Sequence, residues 1–261
     1  MRKGKKRHVW TALFAGFVIF LCLAPFLIVF AGGFWQTETG FSVQAYYDVF
    51  LGSSQYLLRF WRSLGLCLCI TAGQVVVSVM AGYGFAKCTF PGKNIMYFFL
   101  MILMVLPLQV TLAPNYIMLD RLDLLGTDGA LIFPGIFVPL GTFLITQSFR
   151  AIPDDVVDVA RLDGCGLWRI LVQVAVPVAR GGGIVCAGLL TFLDAWNMVE
   201  QPIAYLRDFT RYPISVALAY VTPSESARQF VCCILVILPP LFLFSCFHRE
   251  MVEGIVFGEE K

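Results

Sequence analysis

Charge is scarce in this sequence. Lys, Arg, Asp and Glu make up 14% of its 261 residues, about half the ~25% of an ordinary soluble domain. Histidine is scarcer still: only His8 and His248 occur, at opposite ends of the apolar region. They cannot share one pocket as an HExxH metal site or a catalytic triad. The sequence has no G-x-x-x-x-G-K-[ST] phosphate loop and no GxSxG elbow. Pro91-Gly92-Lys93-Asn94 comes nearest, but lacks the earlier glycine and the hydroxyl residue. If ATP drives this protein, another chain binds it. A net charge of +2 is too small to recruit a polyanion.

Apolar residues are abundant. They reach 59% before the 23 glycines are counted, against ~45–50% with glycine included in soluble domains, and mean hydropathy is +0.80. A soluble fold of this size cannot hide that much apolar surface. Composition therefore excludes a soluble enzyme, a disordered chain and a nucleic-acid binder, and indicates an integral membrane protein.

A helical span needs about 20 apolar residues. Five stretches free of Asp, Glu, Lys and Arg qualify: Val9–Thr37, Ser63–Ala86, Asn94–Leu119, Gly129–Phe149 and Gln229–Phe247. A sixth, Gly181–Ala204, is interrupted only by Asp194 and Glu200. The expected fold is all-α, with six transmembrane helices over residues 9–247 between a basic N-terminus (1–8) and a C-terminal tail (248–261). With the N-terminus inside, inner segments hold 13 of the 19 basic residues and outer segments 6, which places both termini in the cytoplasm. The first stretch is longer than a 7–15-residue signal-peptide core, so an uncleaved span is expected. Seven of the nine cysteines lie inside apolar stretches, where Cys behaves as a small hydrophobe.

The loop between the fourth and fifth stretches, residues 150–180, is longer than a helix connection requires. Ile152-Pro153-Asp154-Asp155 reads as a helix start, with proline at the first helical position and carboxylates at the positive end of the dipole. Val157, Ala160 and Arg161 fall on one side, and Asp154, Asp155 and Asp158 on another. Gly164 and Gly166 interrupt the pattern, and a second amphipathic stretch, Leu167–Val176, is expected to end at Pro177. Such a helix–glycine–helix element suits either pressing on a partner or shielding the bundle.

Asp158-Val159-Ala160, then Gly164, then Val174-Ala175-Val176-Pro177 resembles the EAA loop of ABC-importer permeases, E-A-A-x3-G-x9-I-x-L-P, with spacing kept and mild substitutions. Gly82-Tyr83-Gly84-Phe85-Ala86-Lys87, Phe90-Pro91-Gly92-Lys93, Leu106-Pro107-Leu108-Gln109-Val110, Leu125-Gly126-Thr127, Trp196-Asn197 with Pro202 and Leu206, and Gly254 with Gly258 are similar to the carbohydrate-uptake (maltose-type) branch. The resemblance covers roughly residues 60 to 261. It implies a type I importer fold whose cytoplasmic coupling helices meet an ATPase through Asp158, Ala160, Arg161, Asp163, Gly164 and Pro177. It also implies a second permease subunit, two ATPase subunits that hold ATP and Mg, an extracellular solute-binding protein, a sugar substrate and a place in a bacterial inner membrane. No cofactor is expected on this chain.

Asp194 and Glu200 cost roughly 2.5–3.5 kcal/mol each at a helix centre. On a continuous helix Asp194, Asn197 and Gln201 share a face, with Trp196 and Glu200 beside it. Planar hydrogen-bonding groups next to an aromatic ring suit a sugar, so one reading is a wall of the translocation path. The other is contact with the partner permease, or Glu200 at the outer headgroups. Other classes stay open: a permease for a non-sugar solute, a channel, or a membrane-embedded enzyme. Against the enzyme reading, Asp194 and Glu200, i and i+6, point to different helix faces and lack a helper histidine.

Overall fold

The computed structural model describes residues 2–36, 40–52, 54–218 and 226–256. Thr37 and Gly258, both named in the sequence analysis, lie outside the described residues. In chain order the elements are α1 (Arg2–Gly32), β1 (Trp35–Gln36), β2 (Gly40–Phe41), α2 (Gln44–Tyr47), α3 (Ser54–Lys87), α4 (Lys93–Val105), α5 (Leu108–Arg121), α6 (Gly129–Ile136) and α7 (Pro139–Arg150). They continue as α8 (Asp154–Leu162), α9 (Leu167–Ile170), α10 (Val176–Ala179), α11 (Val185–Trp196), α12 (Glu200–Tyr205), α13 (Ile214–Ala217) and α14 (Ser226–Val256). The antiparallel ladder β1–β2 is the one strand pairing among the described residues. It is the only departure there from an all-helical fold.

Helices dominate because hydrocarbon offers backbone groups no hydrogen-bond partner, so each span must satisfy its own. Four helical stretches among the described residues are long and apolar enough to cross a membrane: Leu13–Gly32, Gln55–Lys87, Gly129–Arg150 and Ala227–Glu250. Two bent pairs raise the number to six when each is counted as one span.

One bent pair falls where a single straight span was expected; the other joins Leu167–Ala179, expected as part of the loop, to the first part of the expected span Gly181–Ala204. Over Asn94–Leu119 the chain instead forms α4 and α5, which meet at 107°. Pro107 is the cause: it has no N–H to donate, and it drives Leu106 out of the helical region to φ −65°, ψ 130°. Over Gly181–Ala204 the helix stops at Trp196. Asn197 caps it, Val199 leaves helical geometry at φ −129°, ψ −48°, and α12 begins afresh at Glu200. Upstream, Leu167–Ala179 and Gly182–Trp196 meet at 82° across a π turn at Arg180–Ile184 that contains the glycine triplet. Pro177 does not end its helix as expected. A wider π turn over Leu171–Ala175 precedes it and the chain stays helical to Ala179, a local adjustment that accommodates a residue without N–H.

The chain divides into two compact units, one of residues 1–58 and 218–238, the other of residues 59–217 and 239–261. In the first, Arg228 grips Asp48 through Nε (3.0 Å) and Nη2 (2.8 Å), and Gln44 Nε2 donates to the other oxygen of Asp48 (2.9 Å). Phe34 packs on Tyr46 with ring centroids 4.6 Å apart.

In the second unit, α3 packs on α6 and α7 through glycines. A Cβ at Gly73 would stand 2.7 Å from Ile136, one at Gly135 2.8 Å from Ile70, and one at Gly82 3.0 Å from Ile145. Small residues let membrane helices approach this closely. Gly141 leaves the space that the Gln74 amide fills. From there a buried polar ladder runs across the interface: Gln74 Nε2 donates to Ser78 Oγ (2.8 Å), and the Ser78 and Thr142 hydroxyls share a hydrogen bond (3.0 Å). With no water to compete, such bonds hold the helices in one register.

Candidate functional site

The segment after α7 is packed down rather than loose. Its first helix, α8, starts at Asp154, with Pro153 one place earlier than expected, at the N-cap (φ −57°, ψ 139°). Asp154 and Asp155 occupy the first turn, where carboxylates complement the helix dipole. Lys87, the last residue of α3, reaches this point. Its Nζ donates to the Ile152 carbonyl (2.5 Å) and to Asp154 Oδ1 (2.6 Å). The Lys87 side chain is 5% exposed while that of Asp154 is 82% exposed. The hydrogen bond from Lys87, and then its charge, hold the Asp154 carboxyl below the usual carboxylate range.

Helix α8 ends in a Schellman motif. Gly164 adopts φ +78°, the Cys165 amide donates to the Ala160 carbonyl (3.0 Å), and the Gly164 amide to that of Arg161 (2.9 Å). The motif satisfies carbonyls at the helix end and needs a residue that tolerates the left-handed region. Asp163, exposed, is the last residue before that turn.

One side of α8 faces a cluster in which Val157 and Ile152 are buried with Tyr83, Phe149, Ile170, Leu171 and Ala175, and Ala160 and Cys165 lie against it. Arg161, expected on that side, is exposed and pairs with Asp158 at 3.0 Å. The opposite side leaves Val156, Val159 and Leu162 exposed, Leu162 at 88%, beside the exposed Asp155 and Asp158. Apolar side chains left in water on a short amphipathic helix are where a partner would dock. Pro177 on α10 is also exposed.

The expected shared face of Asp194, Asn197 and Gln201 does not exist, because the helix breaks between them. Asp194 is exposed on the last turn of α11. Asn197 is exposed, and its Nδ2 donates to the Leu193 carbonyl (2.9 Å), closing the helix end. Trp196 is 2% exposed; its ring stacks on Phe192 (5.8 Å, 12°) and meets Phe60 edge-on (5.8 Å, 79°). Its faces are occupied within the chain, so it supports the segment rather than offering a platform. Gln201 is half-buried. Glu200 is exposed, and both its oxygens accept from Gln109 Nε2, at 3.1 and 3.3 Å. The two broken helices are thereby joined, α5 to α12. The Tyr205 hydroxyl donates to the Leu112 carbonyl (3.3 Å) and the Gly126 amide to the Tyr205 carbonyl (2.9 Å). Arg62 pairs with Asp128 in the same unit.

Lys87 and Gln109 were missed as contributors from sequence. Both sit inside segments that drew attention for resemblance, but nothing local in the sequence names their partners, 67 and 91 residues away.

A family model described as a binding-protein-dependent transport system inner membrane component matches residues 74–251. The chain belongs to this family. The matched range begins within α3, one residue after Gly73, and takes in the polar ladder from Gln74 to Thr142, α8 and the α11–α12 segment. Among relatives, the arabinooligosaccharides transport system permease protein AraQ of Bacillus subtilis (strain 168) is 28% identical over 225 residues, spanning 84% of this chain and 79% of its own length. AraQ of Halalkalibacterium halodurans is 26% identical, over 82% of this chain and 77% of its own. The sn-glycerol-3-phosphate transport system permease protein UgpE of Yersinia pestis bv. Antiqua (strain Antiqua) is 26% identical, over 80% and 75%. A chain in the crystal structure of a bacterial ABC transporter involved in the import of the acidic polysaccharide alginate superposes with a TM-score of 0.84 at 17% identity, covering 95% of this chain and 98% of that one. That likeness concerns the fold, an all-α multi-span membrane architecture. Family membership assigns this chain to a transport system as its membrane component, a role in transport and not in catalysis.

Proposed function

We propose that this chain is one permease subunit of an ABC importer for a sugar or sugar-like solute, working by alternating access. The observation that carries the reading is α8. It is an amphipathic helix with one side locked into the bundle, the other exposed and apolar, and a left-handed glycine turn at its end. A helix built this way can accept force from a partner and pass it inward. In this reading residues 150–180 are cytoplasmic coupling helices of the maltose-type branch, with an EAA-like motif over Asp158–Pro177. Asp158, Ala160, Arg161, Asp163 and Gly164 sit at an ATPase supplied by two other chains, a second permease completes the pathway, and an extracellular binding protein delivers the solute. Both termini are cytoplasmic.

The names of the relatives support a carbohydrate-related solute: arabinooligosaccharides, sn-glycerol 3-phosphate and, at the level of fold, alginate. Asp194, Asn197, Glu200 and Gln201, with Trp196 packed beneath, are the proposed lining of the path. Exposed polar groups at a helix break belong next to water or a partner, since lipid offers them nothing. A non-sugar solute is the alternative substrate class.

Co-expression with a second permease, an ATPase and a solute-binding protein from the same genome, and reconstitution in vesicles, tests this. Uptake is followed with a panel of neutral arabinooligosaccharides and sn-glycerol 3-phosphate. Gly164→Glu is expected to abolish ATP-driven uptake while membrane insertion persists; normal uptake would sink the coupling role. Asp194→Ala with Asn197→Ala is expected to alter KM for the transported solute, and unchanged kinetics across the panel would remove these residues from the path.

A further inference from the structure

We propose that Lys87 is a positioning residue for coupling: its ammonium clasps the start of α8 so that α8 and the end of α3 move as one body. The inference rests on the coupling role of α8 and goes beyond it, because it assigns the route by which displacement of α8 reaches the membrane.

The geometry is specific. Lys87 closes α3, a helix of 34 residues that runs the full depth of a span. A lysine at the edge of a membrane ordinarily sends its ammonium into water or headgroups. Here the side chain is 5% exposed and its ammonium is directed at two acceptors of a single neighbouring segment: the Ile152 carbonyl at 2.5 Å and Asp154 Oδ1 at 2.6 Å. The Ile152 acceptor is main chain just ahead of α8, and Asp154 is its first residue. The contact therefore holds the backbone where α8 starts, whatever side chain faces outward. Charge-assisted bonds of this length are among the stronger polar contacts, and breaking this one strands a charge that is largely out of water.

Apolar packing alone would be a looser coupling. Val157 is the one side chain of α8 that is fully buried, set in a cluster with Tyr83 of α3 and Phe149 of α7. A single valine in such a cluster resists separation but allows the helix to pivot about it. A second attachment at the N-terminal end removes the pivot. Two fixed points, Lys87 at the start and Val157 one turn on, make α8 a lever rigid with α3. The loop that follows α3 is braced separately, by Lys93 Nζ donating to the Cys88 carbonyl (2.8 Å). Lys87 is thus left to α8.

The test measures whether α8 and α3 stay rigid with each other while the transporter switches. The full complex is assembled in nanodiscs with spin labels on α3 at Gly84, where added atoms meet open space, and on α8 at the exposed Val159. Their separation is read without nucleotide and after vanadate trapping. The unsubstituted complex is expected to give one narrow distance, the same in both states. Lys87→Met is expected to give distances that differ between the states, and Lys87→Arg to restore the single distance common to both. Asp154→Asn, which keeps the Ile152 contact, is expected to fall between them, and it stands in if Lys87→Met does not assemble. A Lys87→Met distance that trapping leaves unchanged, narrow or broad, or a Lys87→Arg variant that fails to restore the common distance, overturns the proposal. A merely structural lysine would shift both states alike and leave no state dependence. Failure of the coupling reading itself is distinguishable: no ATPase then co-purifies with the unsubstituted chain.

Discussion

Gly164 and Gly166 stand two positions apart, each with open space where a Cβ would go, yet their backbones differ. Gly164 lies at φ +78° and Gly166 at φ −71°. Space is not the constraint at either; handedness is, and only at the first. Gly164→Ala is expected to cost about 1–2 kcal/mol, the steric penalty of a Cβ in the left-handed region. Gly166→Ala should stay within about 0.5 kcal/mol, as surface substitutions usually do. Thermal unfolding of the two variants in detergent checks the contrast, and equal losses would refute it. Asp154 adds a pH signature. Its folded pKa is depressed by Lys87, so its contribution is fully present above the unfolded carboxylate value and is lost as pH falls through the lower folded value. The Lys87–Asp154 contact should persist from neutral pH to below the ordinary aspartate range. Infrared titration of the carboxylate band, compared with Asp154→Asn, measures it. Protonation of Asp154 at its ordinary value would contradict the clasp.

At the scale of elements, the glycine-lined face between α3 and α7 is where substitution should tell most. A Cβ at Gly141 would collide with the Gln74 amide, so Gly141→Ala is expected to destabilise by about 1–3 kcal/mol, as overpacking generally does. Adding Gln74→Ala should recover part of the loss, a coupling that a double-mutant cycle in detergent would reveal; strict additivity would show that the two do not meet. How far these elements were legible from sequence follows from what each depends on. The apolar stretches are local properties, and they mark where helices lie rather than where they end: Ser63–Ala86 falls inside α3, which starts nine residues earlier at Ser54. The bends were legible only in part. Pro107 announced a disturbance, but the 107° turn depends on what α5 packs against. The break after Trp196, at Asn197-Met198-Val199, was signalled only by Pro202, which has no N–H to donate to a helical carbonyl at Met198 and sits in the first turn of α12. Helical periodicity carried across that break produced a face that the backbone does not make. Burial of Trp196 was hidden for the same reason: Phe60, its edge-on partner, lies on another helix.

For the whole molecule, the strongest signal was the least local one. The segments that carry the resemblance, at α3, α8 and α11, follow one another in order, and the family match over residues 74–251 spans them. The first apolar stretch and the segment after it, which lacked a distinctive pattern, lie outside that match. The proposed orientation is a property of the whole chain, and it rests on a basic-residue split of 13 to 6. In a cysteine-free background, Asp155→Cys should react with a membrane-impermeant thiol reagent in inverted vesicles but not in intact cells. Asp208→Cys, in the connection after α12, should do the reverse. Labelling of both from the same side would invert or abolish the proposed topology.

The bend after α4 and the helix break after Trp196 also bear on hydration. A helix end leaves up to four carbonyls without partners inside the helix, and irregular backbone at membrane depth persists only where protein covers it or water reaches it. The ends of α4 and α11 are such places. They are where a charge-poor protein has to admit solvent or another subunit, and a profile of solvent accessibility along the spans should rise there above the level set by unbroken helices.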